Sequence, residues 1–345
     1  MATIRDVAAK AMVSVGTVSN VLSNSPSVSA ALRERVERAI RELDYHPSHI
    51  ARSLASRSTK TIGIVITDIT NPFFPLVVRG AEDSALRHGF TLSVFNTDNR
   101  LDRERNCISV LRSREADGVL LVSSPNPAGQ IEHLEDARRE GLAIVCLDRI
   151  PLGFACDAVL ANHEKGARLI VRHLHLMGHR RIGAILGPPG LQNSSDRTAG
   201  YRAALAECGL DAEADLERQG DFRIDSGHRL AKELLLSDNP PTAIFAANGM
   251  MGLGALKTIQ ELGLSCPHHI SLAVFDDYPG AEIFRPSLTV IAQPAYEMGY
   301  RGTELLISRI SKQAIKDRGG SEEPEIQILE PELVVRESTG APRSI

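Results

Sequence analysis

Side chains that could bind a small polar ligand recur just after apolar runs in the second part of the sequence. They combine carboxylates, amides and guanidinium groups, which form strong hydrogen bonds to buried hydroxyl groups. Three of the nine phenylalanines belong to this set, and an aromatic face can pack on the C–H face of a pyranose. The candidate ligand-binding residues are Asn71, Phe73, Phe74, Asp148, Arg149, Asn193, Arg197, Phe222, Asn248, Asp276 and Gln293.

Each of these residues also has a structural explanation when it is taken alone. Asn71 with Pro72 is typical of a turn, Asp276 could cap a helix, and Phe222 could belong to a core. The apolar runs before them, however, are typical of parallel strands, whose carboxyl ends border one crevice. Their joint position therefore favours a ligand site.

Other kinds of chemistry have weaker support. The sequence contains no H-E-x-x-H, G-x-S-x-G, P-loop or G-x-G-x-x-G motif. Four neighbouring histidines lack zinc-ligand spacing, and a position near a helix end explains them equally well. We therefore expect no metal, no cofactor and no enzymatic activity. These histidines are His163, His173, His175 and His179.

The N-terminal segment carries side chains suited to DNA. Helical spacing of apolar residues predicts three short helices, with Ser14 and Ser29 as caps and a tight turn between the first two. This arrangement is typical of a helix-turn-helix, although a plain three-helix bundle has the same periodicity. We expect Val15, Val18, Val21 and Leu22 on the buried side of the second helix. Its start would contact the major groove, where Asn pairs with adenine and Val meets a thymine methyl, through Val15, Gly16, Thr17, Ser19 and Asn20.

Charge is distributed unevenly along the 345 residues. The net charge is −4, but residues 1–60 carry +4, from nine Lys and Arg against five Asp and Glu, and the remainder carries −8. A basic head on an acidic body indicates a polyanionic partner for the head. No apolar run approaches the roughly 18 residues of a membrane helix, and the N-terminus lacks a signal-peptide core. The five scattered cysteines suit a reducing cytoplasm without disulfides: Cys107, Cys146, Cys156, Cys208 and Cys266.

The rest of the chain alternates strand-like and helix-like segments. Strands are predicted at 61–67, 91–95, 118–122 and 143–147, and the pattern restarts with 181–186, 242–246 and 271–275. A helix is predicted to begin at Arg197, after a loop at 187–195. RIGAIL resembles TIGIVI 120 residues earlier, which predicts two similar α/β lobes with parallel sheets. The late segments 288–294 and 324–331 are expected to cross between the lobes.

The head resembles a known family. TIRDVAAKAMVSVGTVSNVLS, followed by VSAALRERVERAIRELDYHPSHIARSL, is similar to the DNA-binding head of the lactose/galactose-repressor (LacI/GalR) family. The resemblance implies a homodimer whose recognition helices occupy successive major grooves. It also implies a hinge helix in the minor groove, where Leu54, beside Ala51, wedges a base step. It adds four residues to the DNA-binding set: Thr3, Ser14, Ser29 and Tyr45.

The body is similar to the type I periplasmic sugar-binding fold over nearly all of 61–340. NPFF, LDR, the arginine in DRTAGY, the DF pair, FAAN, FDD and AQP resemble the ligand set of ribose-type binding proteins and repressors. One position departs from the family pattern, since Gly249 follows FAAN where Asp is usual. That departure bears on which sugar would bind.

These observations predict three parts: a helix-turn-helix head (1–46), a hinge helix and linker (47–60), and an effector-binding and dimerisation body (61–340). The lobes would comprise 61–160 with 292–322, and 161–291 with 323–340. The leading hypothesis is a cytoplasmic, nucleoid-associated repressor that a small sugar, ribose-like, releases from a pseudo-palindromic double-stranded DNA operator. The alternatives are a repressor with a purine corepressor, a sugar-transport binding protein and a sugar-modifying enzyme. No membrane contact is expected.

Overall fold

A computed structural model describes residues 2–22, 28–45, 58–126, 128–315 and 323–343 of the chain. It divides the chain into two compact units, Met1–Lys60 and Thr61–Ile345, which we call the head and the body. The head is helical, and the body is α/β, as the sequence predicts.

The head contains α1 (Ile4–Ala11), α2 (Val15–Leu22) and α3 (Ala30–Glu42). A polar side chain caps each helix. The Thr3 hydroxyl accepts a hydrogen bond from the Asp6 backbone amide, and the Asp6 carboxylate accepts one from the Thr3 backbone amide at 2.7 Å. Ser14 accepts from the Thr17 amide at 3.1 Å, and Ser29 caps α3 in the same way. The two caps predicted for α2 and α3 are therefore present.

One small apolar core holds the three head helices together. Val15 does not belong to it: its side chain is 42% exposed, and Leu22 is only half-buried. The prediction of four inward residues on α2 is therefore wrong at Val15, because the helix turns only Val18 and Val21 fully inward. The core consists of Val7, Ala8, Ala11, Val18, Val21, Val36, Ala39 and Tyr45.

The body alternates strands and helices along its whole length. In chain order these are β1 (Thr61–Ile66), α4 (Phe73–Arg87), β2 (Thr91–Asn96), α5 (Leu101–Ser113), β3 (Gly118–Leu121), α6 (Glu132–Arg139), β4 (Ala143–Leu147), β5 (Asp157–Ala161), α7 (His163–Leu176), β6 (Ile182–Leu186), α8 (Gln192–Glu207), a 3₁₀ turn (Ala214–Leu216), β7 (Glu217–Gln219), α9 (Ile224–Leu235), β8 (Ala243–Ala246), α10 (Gly249–Glu261), β9 (Ser271–Phe275), β10 (Thr289–Ala292), α11 (Ala295–Ile315), β11 (Ile326–Leu329) and β12 (Glu332–Val334).

The strands form two six-stranded sheets of the same design. Their orders are β11-β5-β4-β3-β1-β2 in the first lobe and β12-β10-β9-β8-β6-β7 in the second. Every pairing is parallel except that of β10 with β12. The equivalent places of β1 and β6 confirm the repeat between TIGIVI and RIGAIL. Apolar clusters cover both faces of the first sheet, which accounts for the continuous apolar character of its strands.

Within the described residues the chain passes between the lobes after β5, after β10 and after β11. The last crossing corrects the predicted lobe boundary. Residues 323–340 were assigned to the second lobe, but Ile326–Leu329 pairs with Asp157–Ala161 in the first sheet. The chain joins the second sheet only from Glu332 onward. Two consecutive apolar runs therefore complete different sheets.

Two glycines bring α4 and α11 into close contact in the first lobe. A Cβ at Gly80 would lie 1.9 Å from the Tyr296 carbonyl oxygen, and one at Gly299 would lie 1.9 Å from the Val77 carbonyl oxygen. No larger residue fits at either position unless the helices separate. This contact fixes the place of α4, whose first turn points toward the cleft between the lobes.

Candidate functional site

The cleft between the lobes contains a cavity of about 570 Å³, including the open solvent at its mouth. All eleven residues that the sequence predicts for a ligand site line this cavity. The lining also includes six residues outside the candidate set, of which Asp221 belongs to the DF pair of the family resemblance: Thr67, Asp68, Asp98, Asn99, Asp221 and Arg223.

The additional residues also follow strand ends. Thr67 and Asp68 come directly after β1, and Asp98 and Asn99 come just after β2. The strand-end rule could therefore have found these four. It could not have found Asp221 and Arg223, because β7 has only three residues and no apolar pattern.

Arg197 is the central cation of the second-lobe half. It lies in the second turn of α8. The prediction that Arg197 opens this helix is wrong, because the helix begins earlier, at Gln192. Its Nη1 donates to the Ala247 carbonyl oxygen at 2.5 Å, and its guanidinium carbon lies 3.9 Å from the Phe275 ring centroid. The side chain is held by a hydrogen bond and a cation–π contact, so its direction is fixed before a ligand arrives.

Asp276 directly follows β9 and has a left-handed backbone, with φ 80°. Gln293 donates to its Oδ1, and the Gly249 amide donates to its Oδ2 at 3.4 Å. Burial raises the pKa of this carboxyl group, although Arg197 and the Gln293 amide act in the opposite direction.

Asp148 follows β4 in the first lobe and also has a left-handed backbone, with φ 64°. Asn193, on α8 of the second lobe, donates to its Oδ2 at 2.7 Å, so this hydrogen bond joins the lobes across the cavity. Burial alone would raise the pKa of Asp148. Contact with the His163 ring and the charges of Arg149 and Arg197 outweigh burial and lower that pKa to about 2.

Arg149 lines the cavity on the side of the first lobe. Its Nε donates to the Ser123 carbonyl oxygen at 2.6 Å, and its Nη2 donates to Asn99 at 3.1 Å. Burial lowers the pKa of this guanidinium despite the nearby carboxylate of Asp148. The group remains a cation, since an arginine keeps its proton in proteins.

The asparagine and phenylalanine side chains among the candidate residues contact the loops that border the cleft. Asn248 caps α10, accepting from the Met251 amide at 2.9 Å, and donates to the Phe222 carbonyl oxygen at 3.1 Å. In the first lobe, Asn71 accepts from the Phe73 amide at 3.2 Å. The Phe73 and Phe74 rings meet edge to face at 5.2 Å. The turn considered for Asn71 is therefore present and Asn248 caps a helix, but both residues also line the cavity.

Three buried acceptor atoms in the lining share one property. Within the described part of the chain no donor makes a well-directed hydrogen bond to Asp148 Oδ1, Asn193 Oδ1 or Gln293 Oε1. Buried polar atoms are nearly always satisfied in proteins, and leaving one unpaired costs about 1–3 kcal/mol. The cavity therefore suits a ligand that brings hydrogen-bond donors.

The predicted DNA-contact residues of the head are mostly at its surface. Val15, Gly16 and Asn20 are exposed, and Thr17 and Ser19 are partly exposed beside them. Thr3, Ser14 and Ser29 lie at helix N-termini, where phosphate oxygens are favoured. Tyr45 is only 8% exposed and packs in the head core, so the structure gives it a packing role. Ala51 and Leu54 lie outside the described residues.

The neighbouring histidines belong to the framework of the second lobe. His173 contacts Thr339, and His179 contacts Thr242, Ser271 and the Gly340 carbonyl oxygen. Across the described ranges, no group of three or more His, Cys, Asp or Glu could hold a metal ion. None of the helices in those ranges has the length and apolar character needed to span a membrane.

Comparison with known proteins agrees with this arrangement. The family model "Bacterial regulatory proteins, lacI family" matches residues 3–48, and "Periplasmic binding protein-like domain" matches residues 171–339. The transcriptional repressor PurR of Aliivibrio salmonicida is 35% identical, over 98% of this chain and 99% of that protein. The ribose operon repressor of Halalkalibacterium halodurans is 37% identical, over 98% of this chain and 97% of that protein.

Among solved structures, the chain is similar to the lac repressor dimer bound to operator and the anti-inducer ONPF. The two share 28% identity with a TM-score of 0.84, and the match covers 99% of each chain. The chain therefore belongs to the lacI family of bacterial regulatory proteins, and it is a DNA-binding repressor with a ligand-binding body.

Proposed function

We propose that the body binds a small sugar of pentose size in the cleft and that this binding releases the head from its operator. The observation that carries this proposal is the set of three buried acceptor oxygens to which no donor of the described residues makes a well-directed hydrogen bond. A polyol presents hydroxyl donors in several directions, and the same hydroxyls can accept from the fixed guanidinium groups of Arg149 and Arg197. The phenylalanine rings at the mouth supply the apolar surface that a sugar ring requires.

The protein would act on DNA as a homodimer. A head with one helix-turn-helix reads only half a site, so a pseudo-palindromic operator with half-sites about one helical turn apart follows from two-fold symmetry. The lac repressor structure, a dimer on operator, supports this arrangement. The cleft lies between two lobes. A ligand that binds the closed form of the body more tightly than the open form therefore shifts the equilibrium between these forms by that difference in affinity.

A purine acting as corepressor is the second candidate. Phe222 offers a ring on which a base could stack, and Arg197 and Asp276 could bind its polar edge. The names of the two relatives, a purine-type and a ribose repressor, support one candidate each. The two candidates differ in the sign of the response, since a sugar inducer weakens operator binding and a purine corepressor strengthens it.

The test uses the full chain and two measurements. Thermal unfolding is followed with ribose, other pentoses, hexoses, hypoxanthine and guanine, and a ligand at 100 Kd should add about 2.7 kcal/mol of stability. Operator sites are selected from a random DNA pool, footprinted, and titrated with each ligand that stabilises the protein. Release by a pentose supports the proposal. Tighter operator binding with a purine transfers it to the corepressor, and stabilisation by none of these ligands overturns it.

A further inference from the structure

His163 occupies the first crossing between the lobes. It is the first residue of α7 and follows Asn162, which directly succeeds the last first-lobe strand before the crossing. Its side chain is only 2% exposed, and its ring lies 6.0 Å from that of Phe275. A titratable ring is therefore buried at the point where the two lobes are joined.

The partners of this ring are the charged cleft residues of both lobes. Its Nε2 lies 3.1 Å from Asp148 Oδ1 and 3.3 Å from the Asp148 carbonyl oxygen, on the first lobe. Its Nδ1 lies 3.4 Å from Nε and 3.3 Å from Nη2 of Arg197, on the second lobe. The imidazole thus stands directly between a carboxylate and a guanidinium.

The protonation of the ring follows from these partners. Arginine nitrogens only donate, so the Nδ1 that faces Arg197 must present a lone pair. The neutral ring then carries its proton on Nε2, which donates to the Asp148 carbonyl oxygen at 3.3 Å and leaves the carboxylate Oδ1 without a well-directed hydrogen bond. A proton on Nδ1 would replace this acceptor with a donor directed at a cation.

We propose that His163 is a positioning residue of the cleft, which joins Asp148 to Arg197 through a neutral ring protonated at Nε2. This assignment deepens the proposed ligand site and rests on it for its effect on affinity. The ring does not line the cavity and acts through its two partners. Because those partners belong to different lobes, the contact also holds the lobes in one relative orientation at the crossing.

The ordinary explanation of a buried histidine, that it only fills a core, predicts a different result. Phenylalanine would fill the same space almost as well, whereas a positioning residue requires the two ring nitrogens. Glutamine is the informative intermediate, because its amide can still donate toward Asp148 and accept from Arg197. His163→Phe and His163→Gln therefore separate packing from positioning, and His173→Phe is a matched control in the same helix but outside the cleft.

The experiment compares the wild-type full chain with these variants by calorimetric titration of ribose and of hypoxanthine. We expect His163→Phe to raise the Kd of the ligand that binds by tenfold or more, and His163→Gln by clearly less. His173→Phe should keep the Kd of the ligand within about twofold of the wild type and should leave operator affinity without ligand unchanged. Wild-type ligand affinity in His163→Phe, or equal loss in the Phe and Gln variants, overturns the assignment.

A second measurement does not depend on the ligand. Ring nitrogen chemical shifts of ¹⁵N-histidine-labelled protein, with the His163 signal identified by its loss in His163→Phe, report which nitrogen is protonated. We expect a neutral ring with the proton on Nε2, and a protonated Nδ1 would overturn the assignment. If none of the sugars and purines of the thermal screen binds the wild type, the proposed function of the cleft fails, while the ring spectrum still decides the arrangement of His163.

Discussion

Nη2 of Arg197 lies 4.0 Å from Oδ1 of Asp276, and the two side chains are only 3% and 5% exposed. At this separation the charges attract each other, but the guanidinium does not form a short hydrogen bond to the carboxylate. Each group therefore keeps polar atoms that a ligand hydroxyl could reach.

Asp276→Ala should weaken ligand binding by about tenfold to hundredfold. The substitution leaves the hydroxyls that the carboxylate would bind buried and unpaired, at a cost of about 1–3 kcal/mol. Asp276→Asn should lose less, because its amide oxygen still accepts one hydrogen bond. The measurement is operator binding titrated with ligand, in which Asp276→Ala should hold DNA at ligand concentrations that release the wild type.

The adjacent residue supplies a matched control for this prediction. Asp277 forms an ion pair with Arg336 at 2.8 Å and does not line the cavity. Asp277→Ala should therefore respond to ligand as the wild type does. Operator affinity without ligand should be unchanged in both variants, since the head is intact. Release of Asp276→Ala at the wild-type ligand concentration would contradict the assignment of this residue.

Gly249→Asp should weaken ligand binding by about tenfold without lowering thermal stability. A Cβ at this position would lie 3.2 Å from the Tyr278 ring, so the ring must move, and the new carboxylate would lie beside Asp276. An acidic residue in the first turn of α10 is favourable to the helix dipole, which explains why the melting temperature should hold. Calorimetric titration and thermal unfolding together check this split between affinity and stability.

The role of Tyr278 can be isolated by a double-mutant cycle. Gly249→Ala adds the Cβ without the charge and should cost no more than about threefold in affinity. If Tyr278 is the obstacle, the effects of Gly249→Asp and Tyr278→Ala should be less than additive. Strict additivity would show that the like charge of Asp276, and not the ring, accounts for the loss.

Arg35→Ala should destabilise the head and lower operator affinity while it leaves ligand affinity unchanged. Nη2 of Arg35 donates to the Ala11 carbonyl oxygen at 2.6 Å and lies 3.3 Å from that of Met12, at the end of α1. Loss of this charge-assisted contact at a partly exposed site should cost about 1 kcal/mol. The measurement is thermal unfolding of the head, monitored by the circular dichroism signal of its helices.

Arg38→Ala is the control for this effect, because it also removes one positive charge from α3. Arg38 contacts only Glu34 among the partners described for it, in an exposed i,i+4 ion pair that contributes little. Its loss should change head stability by no more than a few tenths of a kcal/mol. An equal destabilisation in the two variants would mean that charge, and not the contact with α1, is responsible.

The cleft could be predicted because of the topology of parallel sheets. Residues that follow parallel strands converge on one edge, so Asp148, Asn248 and Asp276 were placed together from local apolar runs alone. Prediction failed where the local sequence has no apolar periodicity. The start of α8 is a polar stretch without apolar periodicity, so the helix was expected to begin at Arg197, five residues late. His163 was considered only as part of a weak metal cluster, because its two partners are distant in sequence.

The exchange of chain between lobes could not be inferred from the sequence either. β11 and β12 are separated only by Glu330 and Pro331, and their apolar runs are alike, yet they complete different sheets. Strand pairing of this kind depends on residues distant in sequence, since Ile326 pairs with Ala158 and Val334 pairs with Val290. Tyr45 illustrates the opposite limit, since family resemblance placed it at DNA while its ring packs in the head core.

The stability of the second lobe should fall as pH decreases below about 6.5. Burial lowers the pKa of His173 and His179 from the ordinary value of 6.5. Below that value the unfolded chain binds protons that the folded chain does not, so folding becomes less favourable, whereas above it these groups have no effect. Both rings contact the C-terminal segment, at Thr339 and Gly340, which is therefore expected to loosen first.

Calorimetric unfolding of the full chain between pH 8 and pH 5 measures this dependence. His179→Gln removes one titrating group, so the variant should be less stable at pH 8 but should lose less stability on acidification than the wild type. A loss of about 1 kcal/mol corresponds to a fall of about 2–4 °C in Tm for a domain of this size. His228→Gln changes a more exposed histidine that is hydrogen-bonded to Glu261 and is the control. Stability that rises on acidification, or an unchanged slope in His179→Gln, would contradict the assigned burial of the neutral ring.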